Sequence, residues 1–223
     1  RGDTRRLDGE DALAMRPGWR RIGVWALLAA VALLLAVVSA NRLWPLTLPG
    51  DDGARIVLAH DGTPLWRFAD RNGVWRHPVG VDEVSPLYLE ALLTYEDRWF
   101  RHHYGVNPLA LARAAWQNLG SGRIVSGGST LSMQVARLLD PHPRTPAGKL
   151  RQVWRTLQLE WTLSKDEILA LYLDRAPFGG TLEGVAAASW TLLGKSPAHL
   201  THAEAASNRS AVLVERRRKA RGL

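Results

Sequence analysis

Nineteen consecutive uncharged residues, Ile22 to Ala40 (IGVWALLAAVALLLAVVSA), constrain this 223-residue chain more than any other feature. At about 1.5 Å per residue, a helix of that length nearly crosses a hydrocarbon layer of roughly 30 Å. A domain of this size offers too little partner surface to bury so apolar a helix, so the sequence predicts a membrane span over 22–43. Arg16, Arg20 and Arg21 precede the run, and Arg42 alone follows it closely. That asymmetry predicts a cytoplasmic N-terminus and places everything after Trp44 outside the membrane. Val38-Ser39-Ala40 resembles a small-residue cleavage site, so a cleaved signal peptide is the alternative. The apolar run is longer than the roughly 7–15 residues of a usual signal core.

The net charge of +8 raises the question of a nucleic-acid partner. Residues 1–21 carry six basic and four acidic groups, and residues 207–223 carry six and one. Residues 22–206 carry seventeen and sixteen, so the basicity sits in two tails and no nucleic-acid partner is expected. The absence of cysteine excludes a disulfide framework and a thiolate metal site. The seven histidines show no H-E-x-x-H or similar spacing, so no protein-built metal site is expected. The ten tryptophans read as core or interfacial residues rather than a sugar-stacking platform.

The chain reads as five stretches. Residues 1–21 form a cytoplasmic tail, 22–43 a transmembrane anchor and 44–84 a linker with a small β region. Residues 85–206 read as a helical domain, and 207–223 as a basic tail of altered composition. Asp61-Gly62, between Arg55–His60 and Pro64–Phe68, is a hairpin signal. Ser85-Pro86, Asn107-Pro108 and Thr145-Pro146 each place a capping residue before a proline suited to the first helical position. Gly120 is expected to close the second of these helices. Ser164 with Glu167, and Thr201 with Glu204, are capping boxes. The fold class is mainly α, with a small β region and one N-terminal transmembrane helix.

Three constellations carry chemistry. On the helix after Ser85, the apolar stripe Leu89, Leu92, Leu93 continues to Glu96, Phe100 and His103. A carboxylate on a face that lines a cleft is partly desolvated, which suits Glu96 to general-base work. The alternative is a helix-end glutamate turned to solvent or paired with Arg98 or Arg101. Next, Ser126-Gly-Gly-Ser-Thr130 runs into a helix carrying Gln134 and Arg137. Free N–H groups at Ser129 and Thr130, with the positive end of a helix dipole, suit phosphate oxygens, and Arg137 can reach the same anion. An ordinary capped helix after a flexible loop is the bland reading. Third, Lys149, Arg151 and Arg155 lie on the helix from Pro146, where Leu150, Val153, Trp154 and Leu157 form the expected apolar stripe. A solvated charged face is the alternative there.

In order and spacing, these segments resemble the bacterial peptidoglycan glycosyltransferases, glycosyltransferase family 51. Glu96, Asp97, Phe100, His103 and Gly105 match E-D-x-x-F-x-x-H-x-G, and Gly127, Gly128, Ser129, Thr130 and Gln134 match G-G-S-T-x-x-x-Q. Leu163–Leu173 with Phe178-Gly179 resembles a fourth motif, and the likeness spans about residues 55–206. Met133 in place of a first glutamine, Arg175–Gly180 and Gly194–Pro197 resemble one class A subfamily of these enzymes.

The resemblance implies a lysozyme-like helical lobe; with the single-pass anchor and its charge asymmetry, the expected location is the bacterial inner membrane with the N-terminus cytoplasmic and the catalytic domain periplasmic. It implies lipid II and the nascent glycan strand as substrates, and inverting transfer with release of undecaprenyl pyrophosphate. Glu96 is then the catalytic base. Asp97, Phe100, His103, Ser129, Thr130, Gln134, Arg137, Lys149, Arg151 and Arg155 are the expected substrate-binding residues. A divalent cation is a possible cofactor, and protein partners are unassigned.

Four departures stand out. The third motif, R-K-x-x-E, aligns with Gly148, Lys149, Leu150, Arg151 and Gln152, so its arginine and its carboxylate are both replaced. Arg151 or Arg155 is the expected substitute for the arginine. Asn107 replaces an aspartate. After Ala206 the composition breaks into Glu215-Arg-Arg-Arg-Lys219, which reads as a truncation or frameshift. No S-x-x-K or K-T-G occurs, so no transpeptidase site is expected. The sequence leaves two further classes open, a lysozyme-type glycan hydrolase and an inactive membrane-anchored fragment.

Overall fold

A computed structural model of the chain describes residues 17–50, 55–121, 128–201 and 203–204. Ser126, Gly127, the first sixteen residues and the expected basic tail lie outside the described residues. The chain divides into two compact units, one ending at Pro45 and one beginning at Leu46.

The first unit is α1, Pro17–Leu43. Its segment Arg21–Leu43 is long and apolar enough to cross a membrane. Trp25 is 71% exposed and Leu33 67%. A helix that is apolar all round finds its favourable surroundings in hydrocarbon rather than in water.

The second unit opens with β1 (Arg55–Leu58) and β2 (Pro64–Phe68), an antiparallel pair. Asp61 closes the intervening turn by accepting the Thr63 N–H at 2.9 Å. A lone two-stranded hairpin is marginal in water, so residues beyond it must anchor it. Asp70 accepts the N–H groups of Asn72 and Val74, both at 2.8 Å, and the Arg76 guanidinium at 2.7 Å. Arg76 also donates to Glu183 at 2.8 Å. Glu183 lies on β4 (Leu182–Glu183), which pairs with β3 (Pro177–Gly179). Trp75 exchanges backbone bonds with Thr181 and Glu183. The segment after the hairpin is thus fastened to a part of the chain more than a hundred residues away.

The helices are α2 (Pro86–Glu96), α3 (Pro108–Ser121), α4 (Leu131–Leu139), α5 (Pro146–Thr162), α6 (Lys165–Arg175) and the short α7 (Val185–Ala188). The turn Ser189–Leu193 after α7 is π-helical. In α4, Leu131, Ser132, Met133, Val135 and Ala136 are all buried, and the helix packs against both α5 and α6. It is the axle of the core, which Tyr88, Leu92, Phe100, Leu159, Ile168 and Tyr172 complete.

Most of the expected caps form. Asn107 Oδ1 accepts the Ala110 N–H, and Thr145 Oγ1 the Gly148 N–H, each at 3.0 Å. Both capping boxes close. Asparagine and aspartate cap about equally well, which accounts for Asn107 at that position.

Four expectations need correction. The Ser85 hydroxyl donates to Leu200 O at 2.8 Å instead of capping α2. Gly120 lies inside α3. The stripe on α2 stops at Glu96, where the helix ends, and Phe100 belongs to a separate 3-10 turn, Phe100–His102. The inward face of α5 is Gly148, Gln152, Thr156, Gln158 and Leu159, whereas Leu150 is 72% exposed and Leu157 is also exposed. Among the described residues the tryptophans stand outside the buried core, which leaves the interfacial alternative.

Gly105 turns the chain back from the Phe100–His102 turn with φ +71°. An added Cβ there would meet Thr156 Cγ2 at 2.6 Å and Glu160 Cγ at 2.7 Å, both on α5.

Two substitutions should lower stability measurably. Gly105→Ala combines a left-handed backbone with overpacking and is expected to cost about 3 kcal/mol in denaturant unfolding of the full chain in detergent. Asp70→Asn removes one partner of a buried ion pair while Arg76 keeps Glu183, an expected loss of about 2–3 kcal/mol at neutral pH. Burial alone would raise the Asp70 carboxyl, but the Val74 and Asn72 donors and Arg76 outweigh it and hold the group below its usual range. A depressed folded pKa means the contribution is complete above the unfolded value of about 3.9 and is lost as pH falls through the folded value. The deficit of Asp70→Asn should therefore shrink as acid is added below about pH 4.

Candidate active site

The chain reverses at the end of α2, and the reversal builds the wall of a cleft of about 720 Å³. Glu96 is the last residue of α2 and Asp97 is its C-cap, with φ −163° and ψ 80°. Asp97 is 8% exposed. Its carboxylate accepts His103 Nε2 at 3.0 Å and the Leu131 N–H at 2.9 Å. Leu131 opens α4, so a carboxylate already occupies that helix's N-terminus, where negative charge is favoured. The Leu131 N–H is therefore taken within the protein, while Ser129 and Thr130 line the cleft. Thr130 donates to Gly105 O and accepts the Met133 N–H, so it too is engaged within the protein.

Glu96 is half-buried and lines the cleft. Its Oε2 accepts Gln134 Nε2 at 2.8 Å. Arg101, one of its two alternative partners, pairs instead with Asp166 at 2.7 Å on the surface. Tyr88 lies close behind; burial pushes its phenol well up, and Tyr172 and the Glu96 charge add to the shift.

Phe100 is 1% exposed, and the Lys165 ammonium sits 4.6 Å from its ring centre. It is a core residue rather than a ligand-facing one, which corrects the expectation of substrate contact. Lys165 also donates to His103 O and to Glu160. Asp97 and His103, unlike Phe100, line the cleft beside Glu96, and their mutual bond holds the turn that follows it.

The cationic residues divide. Lys149 Nζ donates to Ser129 Oγ at 2.8 Å and to Gln152 Oε1 at 3.2 Å. Ser129 lines the cleft, so Lys149 reaches its wall. Burial lowers the Lys149 ammonium from its ordinary range, and the Arg137 guanidinium pushes the same way. Arg137 donates to His142 O at 2.8 Å; burial and the charge of Arg144 lower it in turn. Arg151 and Arg155 are engaged elsewhere. Asp140 accepts Arg151 at 2.8 and 2.6 Å and Arg155 at 2.9 Å, so the structure brings neither to the cleft as a substitute for the arginine absent at Gly148.

Several cleft residues escaped the sequence reading: Tyr95, Trp99, His102 and, as cations, Arg98 and Arg113. The signal for Arg113 lay in α3, where Leu109, Arg113 and Trp116 recur on one face and the two apolar members are about 80% exposed. Among the described residues, no group of three histidines or carboxylates could hold a metal ion. With the Asp97 oxygens engaged by His103 and the Leu131 N–H, the described cleft does not fit a divalent cation.

Comparison with known proteins fits this geometry. The model of the transglycosylase family matches residues 61–214. Penicillin-binding protein 1C of Escherichia coli (strain K12) is 66% identical over 186 residues, which are 82% of this chain and 24% of that protein. Penicillin-binding protein 1A of Pseudomonas aeruginosa is 37% identical over 151 residues, covering 67% of this chain and 18% of that protein. Penicillin-binding protein 2D of Bacillus subtilis (strain 168) is 33% identical over 186 residues, covering 83% and 27%. The chain thus spans about a quarter of the length of the curated relatives it matches. The subfamily suggested by Met133, Arg175–Gly180 and Gly194–Pro197 is the 1C type, in agreement with the relative at 66% identity. With a match over more than half its length and the helical, lysozyme-like architecture expected of it, the chain belongs to the transglycosylase family.

Proposed function

We propose that this chain is the membrane-anchored glycosyltransferase part of a peptidoglycan polymerase, with Glu96 as catalytic base. The observation that carries this reading is the half-buried Glu96 carboxylate on the cleft wall, oriented by the neutral Gln134 amide at 2.8 Å. The substrates are lipid II and the lipid-linked nascent strand. Glu96 accepts the proton of the acceptor's 4-hydroxyl as that oxygen attacks the donor's anomeric carbon. The bond from that carbon to the pyrophosphate oxygen breaks with inversion, and undecaprenyl pyrophosphate leaves with the electron pair. Negative charge developing on the leaving group calls for fixed positive charge nearby. Lys149 at the Ser129 wall, backed by Arg137, supplies it.

The remaining geometry of the proposal is topological. α1 serves as an uncleaved anchor in the bacterial inner membrane. Arg16, Arg20 and Arg21 keep the N-terminus cytoplasmic, and the helical domain works in the periplasm on a lipid-borne substrate.

The full chain, solubilised in detergent and incubated with labelled lipid II, should form glycan polymer. Glu96→Gln should lower the rate by about 10²–10⁴-fold, the usual range for a general base. Cleavage of preformed glycan without polymerisation would support a lysozyme-type hydrolase instead. No turnover by a folded wild-type chain would favour the inactive fragment.

A further inference from the structure

Gln152 stands where the resemblance sets a carboxylate, and its surroundings give the amide a purpose. The residue is 2% exposed on the inward face of α5. Its Nε2 donates to Met133 O on α4, and its Oε1 accepts Lys149 Nζ at 3.2 Å. The two bonds fix the orientation of the amide, because exchanging oxygen and nitrogen would set an NH₂ group against an ammonium. We infer that Gln152 is a positioning residue: it aims Lys149 at the Ser129 wall of the cleft without neutralising it, so that the full charge meets a diphosphate there. The inference rests on the proposed glycosyltransferase reading for the identity of the anion.

The ammonium has three donors, of which Ser129 and Gln152 take two among the described residues. A carboxylate at 152 would hold Lys149 just as firmly but would form an ion pair and cancel its charge at a half-buried site. It would also set its second oxygen against the Met133 carbonyl.

Gly148 explains why that charge has no replacement. A Cβ at 148 would lie 2.1 Å from Pro143 O and 3.2 Å from His142 Cδ2, so the loop before α5 leaves no room for an arginine. Arg151 and Arg155, the other cations of this helix, are tied to Asp140. Replacing both the arginine at 148 and the glutamate at 152 by neutral residues leaves the net charge of the segment unchanged. Lys149 therefore acts as its uncompensated cation.

The test measures binding of inorganic pyrophosphate by calorimetry on the full chain in detergent, alongside thermal melting. Gln152→Glu should weaken binding about tenfold, the size of one charge-assisted hydrogen bond. Gln152→Met, which keeps the Lys149 charge but frees its aim, should weaken it about threefold and decides the matter if Gln152→Glu fails to fold. Lys149→Ala should abolish binding. Unchanged affinity in both Gln152 variants, with only the melting temperature lowered, would reduce Gln152 to a packing role and overturn the inference. So would a wild-type chain that does not bind pyrophosphate. Binding that follows the expected order in a chain that makes no polymer would leave the inference standing and sink the glycosyltransferase reading alone.

Discussion

The Asp97 carboxylate accepts from two parts of the chain that are far apart in sequence, the His103 ring and the first N–H of α4. A buried carboxylate must be matched by donors, and a helix N-terminus supplies donors with a favourable dipole. Satisfying both demands at once brings the end of α2 against the start of α4. Glu96, one residue before Asp97, and Gln134, three residues after Leu131, become hydrogen-bonding neighbours as a consequence. Thr130 clamps the same junction from the other side through Gly105 O, and Gly105 in turn needs the bare contact with α5 that only a missing side chain allows. The position of the proposed base is thus set by the hydrogen bonds of its neighbours.

Local rules read well from this sequence wherever the deciding interaction is local. Thr145, Asn107 and the Ser164–Glu167 box cap their helices because donor and acceptor lie within a turn of each other. The hairpin at Asp61-Gly62 and the long apolar helix α1 are of the same kind. Glu96 is also legible, since helical register alone puts it on the Leu92 side of α2, even though the helix stops there rather than continuing to Phe100. Ser85 departs from its local rule because its hydroxyl finds Leu200 O, a partner 115 residues away.

The inversion of α5 lies beyond the reach of periodicity for a similar reason. A stripe of Leu150, Val153, Trp154 and Leu157 says that the apolar side goes in, yet the buried side carries Gln152, Thr156 and Gln158. Each of those polar groups is satisfied within the protein: Gln152 by Met133 O and Lys149, Thr156 by Gln152 O, and Gln158 by Arg155. Burial of polar groups is tolerable once their bonds are made, and nothing in a one-dimensional pattern announces those partners. The arginines of α5 obey the same logic, since their destination depends on Asp140, which closes the preceding helix.

The inverted helix also bears on how two opposite charges can be held near one cleft without quenching each other. Had Glu96 and Lys149 been paired, the attraction would have fixed both side chains and neutralised the proposed base and the proposed leaving-group cation. Instead Glu96 is bonded by the Gln134 amide, and Lys149 by the Ser129 hydroxyl and the Gln152 amide. For Lys149, neutral partners impose direction and leave charge intact. Asp140 meanwhile engages Arg151 and Arg155, so neither lines the cleft. What remains beside Ser129 is a half-buried Lys149 with Arg137 close enough to depress its affinity for a proton. Like charges gathered in a desolvated place are unfavourable, and the diphosphate proposed to bind there would relieve the repulsion. The substitutions at 148 and 152, which look like losses against the family pattern, belong to this scheme: with no room for a side chain at 148, the remaining cation is kept whole by a glutamine.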